Sequence, residues 1–216
     1  MVRAKVALLR ADAAGFDAYL ALAASLAPPG RAMLIAMHGF SGAGKTTVAQ
    51  ALLERIGAVR VRSDVERKRL HGLPASARSV SALDAGLYAA AASERTYARL
   101  AHLAAAAVRS GYPAIADAVF AAPEQRQAVA ALAARRGIGF DGLWLEAEPS
   151  IMEARVAGRT GNVSDATVDV LRRQRDYDLG PMTWTRIDSG GEREATLDKV
   201  LAALKLGRGV GGPGLL

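Results

Sequence analysis

The sequence has no cysteine and few aromatic residues, which make up 5% of its 216 residues. The chain can therefore form no disulfide, thiol nucleophile or thiolate metal site, and it offers few rings for stacking on nucleic-acid bases. No apolar run approaches the roughly 18 residues of a membrane-spanning helix. Arg10 and Asp12 interrupt the apolar N-terminal stretch, so a secretory signal is not expected. These absences favour a cytoplasmic location without membrane contact.

The chain does have an excess of positive charge, with 28 Lys and Arg against 21 Asp and Glu and a net charge of +7. Such an excess is common in proteins that bind nucleic acid. Here the arginines are spread along the chain without a basic run. Nucleic acid is therefore the less favoured partner, although it stays an alternative. A hydrophobic content of 51% indicates a folded chain with a sizeable core.

One local motif is specific. Positions 39–46 read Gly-Phe-Ser-Gly-Ala-Gly-Lys-Thr and fit the phosphate-loop pattern G-x-x-x-x-G-K-[ST]. An apolar run at 33–37 predicts a strand before the loop, and 46–55 predicts a helix after it. This strand–loop–helix context is the one that the motif requires, and it predicts binding of a nucleoside triphosphate.

The motif binds phosphate through groups of the loop itself and of the first turn of the following helix. Glycines allow consecutive backbone N–H groups to converge on an anion, and the following helix directs its positive dipole end at the same point. Lys45 would contact the β- and γ-phosphates, and the Thr46 hydroxyl would ligate Mg²⁺. The residues expected to bind the phosphates of ATP are Gly39, Ser41, Gly42, Ala43, Gly44, Lys45, Thr46 and Thr47.

Strands and helices alternate along the rest of the chain. The pattern predicts further strands at 58–62, 112–116, 140–147 and 183–187 and helices between and after them, including 64–70, 83–109, 123–136, 149–157, 164–177 and 192–204. Gly57 and Ser164 are expected to cap helices. This alternation predicts an α/β fold with a doubly wound parallel sheet of five strands and helices on both faces.

The chain divides into three predicted regions. Residues 1–30 form a helical arm and linker with a break at Gly15, residues 31–206 form the phosphate-loop domain, and the Gly-rich stretch 207–216 forms a mobile tail. Trp144 and Trp184 are expected in strands and in the core. His38 and His71 have no partner at metal-ligand spacing.

Two carboxylates follow predicted strands on the side of the sheet where ligands gather. Asp64 follows the second strand and Asp117 the third. Phosphoryl transfer to a hydroxyl needs a carboxylate that accepts the hydroxyl proton and a group that holds Mg²⁺ or its water. Either aspartate could serve either role. The alternative for each is a turn residue that caps the next helix.

Several basic residues are placed to bind anions. Arg155 and Arg159 lie four apart at a helix end, before a flexible connector at 160–163, and could close over a phosphoryl group. Arg67 lies one turn after Asp64 and could hold an anionic group of a substrate. A solvated surface is favoured for two further sets: Arg172, Arg173 and Arg175, and the stripe Tyr88, Arg95, Arg99 and His102.

The phosphate loop, the segment 62–67, the Asp117-Ala118 pair and the Arg155/Arg159 pair together resemble small P-loop kinases related to polynucleotide kinase, gluconate kinase and the zeta-toxin ATPases. This resemblance covers about 31–206. It implies a lid that carries Arg155 and Arg159, Asp64 as general base and Arg67 as a substrate-side arginine. Asp117 would bind the substrate or arrange the metal, in the latter case through water.

A closer resemblance is to the ATP-binding half of two-domain proteins whose other half is similar to aminoglycoside phosphotransferases. It rests on 33–47 and 59–70, and the start of the chain, 2–6, resembles the closing helix of that other half. It implies a fused or separate partner domain of that kind. The chain departs from the group at Val119, where Thr or Asn is frequent.

Together these observations predict an ATP- and Mg²⁺-dependent phosphotransferase. It would move the γ-phosphoryl group to a hydroxyl of a small molecule, such as a sugar or an aminosugar. One alternative is a kinase of polynucleotide 5′-hydroxyls or nucleotide sugars, of the zeta-toxin type. Another is an ATP-binding regulatory module in a larger two-domain protein.

Overall fold

The computed structural model describes residues 2–25, 32–75, 90–158 and 167–206. Within these ranges five strands alternate with helices. The strands are β1 (Met33–His38), β2 (Val59–Arg62), β3 (Ala114–Asp117), β4 (Gly139–Glu146) and β5 (Thr185–Asp188). The helices are α1 (Val2–Leu9), α2 (Ala13–Ser25), α3 (Lys45–Ile56), α4 (Ser63–Leu70), α5 (Ala90–Arg109), α6 (Pro123–Arg135), α7 (Pro149–Ala157), α8 (Val168–Arg175) and α9 (Arg193–Ala203).

The strands form one parallel sheet in the order β2-β3-β1-β4-β5. The predicted fold class is confirmed, and every predicted strand is present within about two residues of its expected bounds. The strand order places β1 at the centre, with Met37 level with Asp117 of β3 on one side and Leu143 of β4 on the other. The carboxyl ends of β1 and β3 therefore lie side by side.

Both faces of the sheet are covered, because the side chains of β1 alternate between two cores. Met33, Ile35 and Met37 pack in a core with apolar residues of α3, α7, α8 and α9. Leu34 and Ala36 pack in a second core with residues of α5 and α6. All six residues of β1 are buried, which is typical of a central strand in a parallel sheet.

The helix ends agree in part with the expectations. Gly57 does end α3, with a left-handed φ of 62° and its N–H donated to Leu53 O. The expected break at Gly15 is wrong, since Gly15 lies inside α2 and the chain turns just before Asp12, whose Oδ1 accepts the Gly15 N–H at 2.8 Å. Thr167, and not Ser164, caps α8, because its hydroxyl accepts the Val170 N–H at 3.3 Å.

Several expected features of the helices and termini fall outside the described ranges: the linker residues 26–30, residues 83–89 of the long helix, Ser164 itself, and the tail 207–216. Trp184 is buried between Phe120 and Phe140, as expected of a core residue, but it precedes β5 and is not in a strand. Trp144 lies in β4 but is only half-buried, with the Arg186 guanidinium 4.0 Å from its ring centre. No helix among the described residues is both long and apolar enough to span a membrane.

Candidate active site

The loop between β1 and α3 is shaped by two glycines that neighbouring backbone crowds. Gly39 has φ of 154°, and a Cβ there would lie 2.6 Å from Leu145 O. Gly42 has φ of 83°, and a Cβ there would collide with the Met152 carbonyl group. Any side chain at these positions would clash with the backbone of β4 or α7. The loop can therefore be closely enclosed only because both positions are glycine.

Lys45 is the first residue of α3, and its side chain folds back over the loop. Its Nζ donates to Gly39 O and, at 3.0 Å, to Phe40 O. The ammonium group is thereby held at the mouth of the loop, where the dipole of α3 also directs positive charge. This places Lys45 where the sequence predicts a phosphate-binding cation.

The outer side of the loop is held by three side chains from distant parts of the chain. Gln174 Oε1 accepts the Ser41 N–H at 2.8 Å, so this predicted phosphate-binding N–H is already engaged. Arg155 Nη1 lies 3.5 Å from Gly42 O. The Ser189 hydroxyl lies 2.9 Å from Ala43 O and 2.8 Å from Glu146 O. These contacts hold the loop on its outer side and leave its inner side for a ligand.

Asp117 ends β3 beside the loop and is only 6% exposed. Burial raises the pKa of its carboxyl group, and this effect is opposed by the positive charges of Lys45, Arg62 and Arg60. Its Oδ2 lies 3.8 Å from Arg62 Nε and accepts no hydrogen bond. A buried carboxylate oxygen without a hydrogen bond, close to a phosphate-binding lysine, is suited to a hydrated cation.

Asp64 lies in the first turn of α4, and its side chain is 32% exposed. It does not cap this helix, because α4 begins at Ser63 and has no side-chain capping hydrogen bond. Asp64 Oδ1 is 3.5 Å from Nη1 of the buried Arg67. The charge of Asp64 also raises the pKa of Asp117, so the two predicted carboxylates interact electrostatically.

Tyr97 of α5 closes the same side of the site. Its hydroxyl accepts the Phe120 N–H at 3.1 Å, and its ring packs edge-on against Phe120. Burial raises the pKa of Tyr97, and the charges of Arg67 and Asp64 act on its hydroxyl with opposite signs. The tyrosine therefore stays protonated at neutral pH. Its hydroxyl lies within electrostatic range of Asp64 and Arg67.

His38, the last residue of β1, is fully buried between the rings of Phe40 and Trp144. Its Nδ1 is hydrogen-bonded to Val119 O. Burial, together with the charges of Lys45 and Arg126, lowers its pKa to about 4. His38 is therefore neutral at physiological pH, and its role is to hold the segment after β3 against the start of the loop.

A cavity of about 400 Å³ opens on the other side of the loop, next to α7 and α9. Its lining residues come from the loop, the start of α3, the end of α7 and the turn before α9, and include Gly44, Thr46, Thr47, Arg155, Ser189, Arg193 and Thr196. Arg155 spans its wall, because its Nη1 donates to Ser189 O at 2.9 Å and its Nη2 is within 3.4 Å of Gly190 O and Gly191 O. The strand order thus separates this cavity, beside β4 and β5, from Asp64 and Asp117 at β2 and β3.

The residues present fit a Mg²⁺ ion that is held mainly by a nucleotide. Thr46 lies in the first turn of α3, and Asp117 has the buried free oxygen described above. Within the four described ranges, no cluster of three or more His, Asp or Glu side chains could hold a metal alone. Mg²⁺ characteristically binds through phosphates, waters and one or two protein oxygens, so this sparse donor set is the expected kind.

The other predicted basic residues are not in the site. Arg172 contacts Glu153 at 3.4 Å on the surface, and Arg173 and Arg175 are exposed. On α5, Arg95 and His102 are exposed, and Arg99 Nε binds Glu66 at 2.8 Å. These positions agree with the prediction that both sets of residues lie on the solvated surface. Arg159, the segment 160–163 and Tyr88 lie outside the described residues.

Sequence reasoning missed Gln174, Ser189 and Tyr97. Each contacts the site across a large separation in the chain, 133 residues for Gln174 and Ser41 and 146 for Ser189 and Ala43. One usable signal existed for Gln174, an uncharged residue inside the arginine-rich stretch 172–175. The other two have no local signature.

The sheet order and the loop define a P-loop domain with a kinase-like fold. A sequence profile described as an AAA domain matches residues 34–178, about two thirds of the chain. The chain belongs to this family. It is also 30% identical over 207 residues to the uncharacterized protein Rv2004c of Mycobacterium tuberculosis, and equally to the uncharacterized protein Mb2027c of Mycobacterium bovis. The match covers 91% of this chain but only 41% of each relative, so the chain spans about two fifths of their length.

Solved structures share the fold at low sequence identity. A sugar kinase from Janibacter sp. HTCC2649 superposes with a TM-score of 0.59 at 18% identity, covering 82% of this chain and 97% of that one. A gluconokinase from Sinorhizobium meliloti 1021 gives 0.58 at 19%, covering 82% and 94%. The APS kinase CysC of Mycobacterium tuberculosis, in complex with AMPPNP and APS, gives 0.60 at 20%, covering 82% and 99%.

Proposed function

We propose that the chain is an ATP-dependent phosphotransferase that moves the γ-phosphoryl group of ATP to a hydroxyl of a small molecule. The observation that carries this proposal is the grouping of Lys45, Asp117 and Asp64 at the carboxyl ends of adjacent strands. A site that only binds a nucleotide does not need a second, partly exposed carboxylate beside the phosphate loop. The sugar kinase, gluconokinase and APS kinase folds support the same reaction class.

The phosphate loop and the adjoining cavity suit a bound nucleotide. Its phosphates lie on the inner side of the loop, against the N–H groups at the start of α3 and the Lys45 ammonium. Its nucleoside occupies the cavity beside Arg155 and Arg193, which begins at Gly44 and Thr47. The γ-phosphate then points toward Asp117 and Asp64. Bound Mg²⁺, held by the Thr46 hydroxyl and, through water, by Asp117, would neutralise charge on the phosphates.

The acceptor approaches from the α4 and α5 side. Asp64 accepts the proton of its hydroxyl, the hydroxyl oxygen forms a bond to the γ-phosphorus, and the bond from phosphorus to the ADP oxygen breaks. Arg67, 3.5 Å from Asp64, orients this carboxylate, and its positive charge favours an acceptor that carries an anionic group.

ADP release with a panel of acceptors tests the proposal. Sugars, aminosugars, aminoglycosides and 5′-hydroxyl oligonucleotides are compared, with the Lys45→Ala variant as a background control. We expect strong stimulation by one class of small molecule. Stimulation by the oligonucleotide alone would instead identify the polynucleotide kinase alternative. No stimulation by any acceptor would reject the enzyme.

The Asp64→Asn variant tests the base. It keeps the size and polarity of the side chain but cannot take a proton, so transfer should fall by a factor of about 10² or more. The affinity for a non-hydrolysable ATP analogue should stay within about twofold, because Asp64 does not contact the loop. Transfer close to the wild-type rate would exclude Asp64 as the base.

A regulatory module is the second candidate, because the chain spans only about two fifths of its longer relatives. In that case nucleotide binding would switch a neighbouring domain, such as one similar to aminoglycoside phosphotransferases. The acceptor panel separates the two candidates, since a module hydrolyses ATP slowly with every acceptor.

A further inference from the structure

The peptide group between Phe40 and Ser41 is held from both sides. Its carbonyl oxygen, Phe40 O, accepts Lys45 Nζ at 3.0 Å and the Ala43 N–H at 3.1 Å. Its N–H, on Ser41, is donated to Gln174 Oε1 at 2.8 Å. One planar group therefore connects Gln174 to the lysine of the phosphate loop, because the two halves of a peptide group rotate together.

Gln174 is set apart from its neighbours on α8. It is 6% exposed, whereas Arg172, Arg173 and Arg175 are exposed. One turn earlier, Leu171 is fully buried in the core shared with α7 and β1. Buried polar side chains in folded proteins are generally hydrogen-bonded, and here the partner is the phosphate loop. The helix is thus anchored in the core and presents one amide to the loop.

Water cannot replace Gln174 without rearrangement, since Ser41 is only 7% exposed. If the side-chain acceptor were lost, the buried Ser41 N–H would have no hydrogen bond. Rotation of the peptide group toward another acceptor would then lower the free energy. Rotation would turn the Phe40 carbonyl away from Lys45 and remove one of the two loop carbonyls, Gly39 O and Phe40 O, that position the ammonium group. The anion-facing N–H groups that follow Ser41 would be displaced as well.

We propose that Gln174 is a positioning residue: through the Phe40–Ser41 peptide it sets the shape of the phosphate loop and the position of Lys45. The proposal rests on the proposed function only where it concerns nucleotide affinity. Its structural half, the hydrogen bond from Ser41 to Gln174, can be tested without any nucleotide.

The first test is amide hydrogen exchange of the nucleotide-free protein by NMR. In the wild-type chain the Ser41 amide should be strongly protected, and an unprotected Ser41 amide would overturn the proposal even if no variant folds. Gln174→Met fills a similar volume without an acceptor, so its Ser41 amide should exchange at least about tenfold faster. Gln174→Glu keeps the acceptor and should keep the protection. Arg173→Met is the control on the same helix and should match the wild type.

The second test is calorimetric titration with AMPPNP and Mg²⁺. Folded Gln174→Met, verified by its thermal transition, should bind about tenfold more weakly than the wild type, which corresponds to one lost buried hydrogen bond. Arg173→Met should bind as the wild type does. Equal affinity of Gln174→Met and wild type would overturn the proposal. No binding by the wild type would instead reject the proposed function and leave the exchange test to decide on Gln174.

Discussion

Asp117 is a carboxylate that the fold buries at the end of β3, beside Lys45. Three nearby cations favour its charged form, yet burial outweighs them and raises its pKa. A raised pKa means that the protonated form is relatively stabilised by folding. This contribution is complete below the unfolded pKa and is lost as pH rises through the folded pKa. The ionised side chain therefore stabilises the fold less than the protonated one does.

Asp117→Asn should separate the effect of the buried charge on stability from the contribution of the carboxylate to Mg²⁺ binding. The amide has no charge to bury, so the nucleotide-free variant should melt at a higher temperature than the wild type at pH 7.5. The same variant should need more Mg²⁺ for ADP release. Calorimetric melting and a Mg²⁺ titration measure the two quantities.

The comparison at pH 4 supplies the control for Asp117. Because burial raises the pKa of Asp117, a larger fraction of the wild-type carboxyl group is protonated there than at pH 7.5, so the difference in melting temperature should shrink. A variant that is less stable than the wild type at neutral pH would show that the cations around Asp117 outweigh its burial. An unchanged Mg²⁺ requirement would remove Asp117 from the metal site.

The residues that sequence reasoning could identify are those with a local pattern. The phosphate loop is a contiguous motif, and Asp64 and Asp117 follow apolar runs that end at the ligand side of a parallel sheet. For Arg155, the sequence predicts a side chain that closes over a phosphoryl group, but helical spacing does not tell which way a side chain points. In the structure it binds the turn before α9 and lines the cavity. Gln174 acts through a contact that only the tertiary fold creates.

At the scale of elements, α6 carries a buried arginine that joins two connections. Arg126 is 4% exposed, and its Nη1 donates to Phe120 O at 2.9 Å and to Ala121 O at 2.5 Å. Its Nη2 donates to Leu179 O and, at 3.3 Å, to Pro181 O. The segment after β3 and the segment between α8 and β5 are therefore tied to each other by one side chain. The first of these segments also carries the partner of Tyr97.

Arg126→Met should destabilise the protein by about 2–4 kcal/mol, because four carbonyl groups lose a buried charged donor. The melting temperature should fall by roughly 5–15 °C. Arg135→Met, an exposed position on the same helix, is the control and should shift stability by less than about 0.5 kcal/mol. If the two variants melt alike, Arg126 does not hold the two segments together.

The elements themselves were largely predictable, because apolar runs bounded by glycine, proline or aspartate mark the strands of a buried parallel sheet. The exceptions have local causes. Gly15 was expected to break the first helical region, but Asp12 caps α2 three residues earlier and Gly15 is tolerated inside the helix. Thr167 and Ser164 are both acceptable capping residues, and sequence alone does not choose between them.

At the scale of the whole molecule, His38 makes the free energy of unfolding decrease at acidic pH. Its pKa is lowered to about 4 from 6.5. Between these two pH values the imidazole is therefore mostly protonated in the unfolded state and mostly neutral in the folded state. Stability from this residue is present above pH 6.5 and is lost as pH falls toward 4. The full effect between these limits is about 3 kcal/mol, from 1.36 kcal/mol for each unit of pKa.

His38→Asn should reduce this acid sensitivity. An asparagine amide can donate to Val119 O as Nδ1 does, but it does not titrate. Urea unfolding at pH 7.5 and at pH 4.5 should show a smaller loss of free energy for the variant than for the wild type. Equal losses would mean that other groups, such as surface carboxylates, dominate acid unfolding. The variant is compared with wild type at each pH, which cancels their common contribution.

The central place of β1 has a consequence for how the chain is made. Met33–His38 precedes both of its neighbours in the chain, so Ala114–Asp117 and Gly139–Glu146 leave the ribosome later than β1 does. Until then the five apolar residues of β1 have no strand to pair with, and such exposed segments are bound by chaperones or aggregate. A nascent polypeptide interrupted before Gly139 therefore lacks β4, which forms one whole flank of its middle strand.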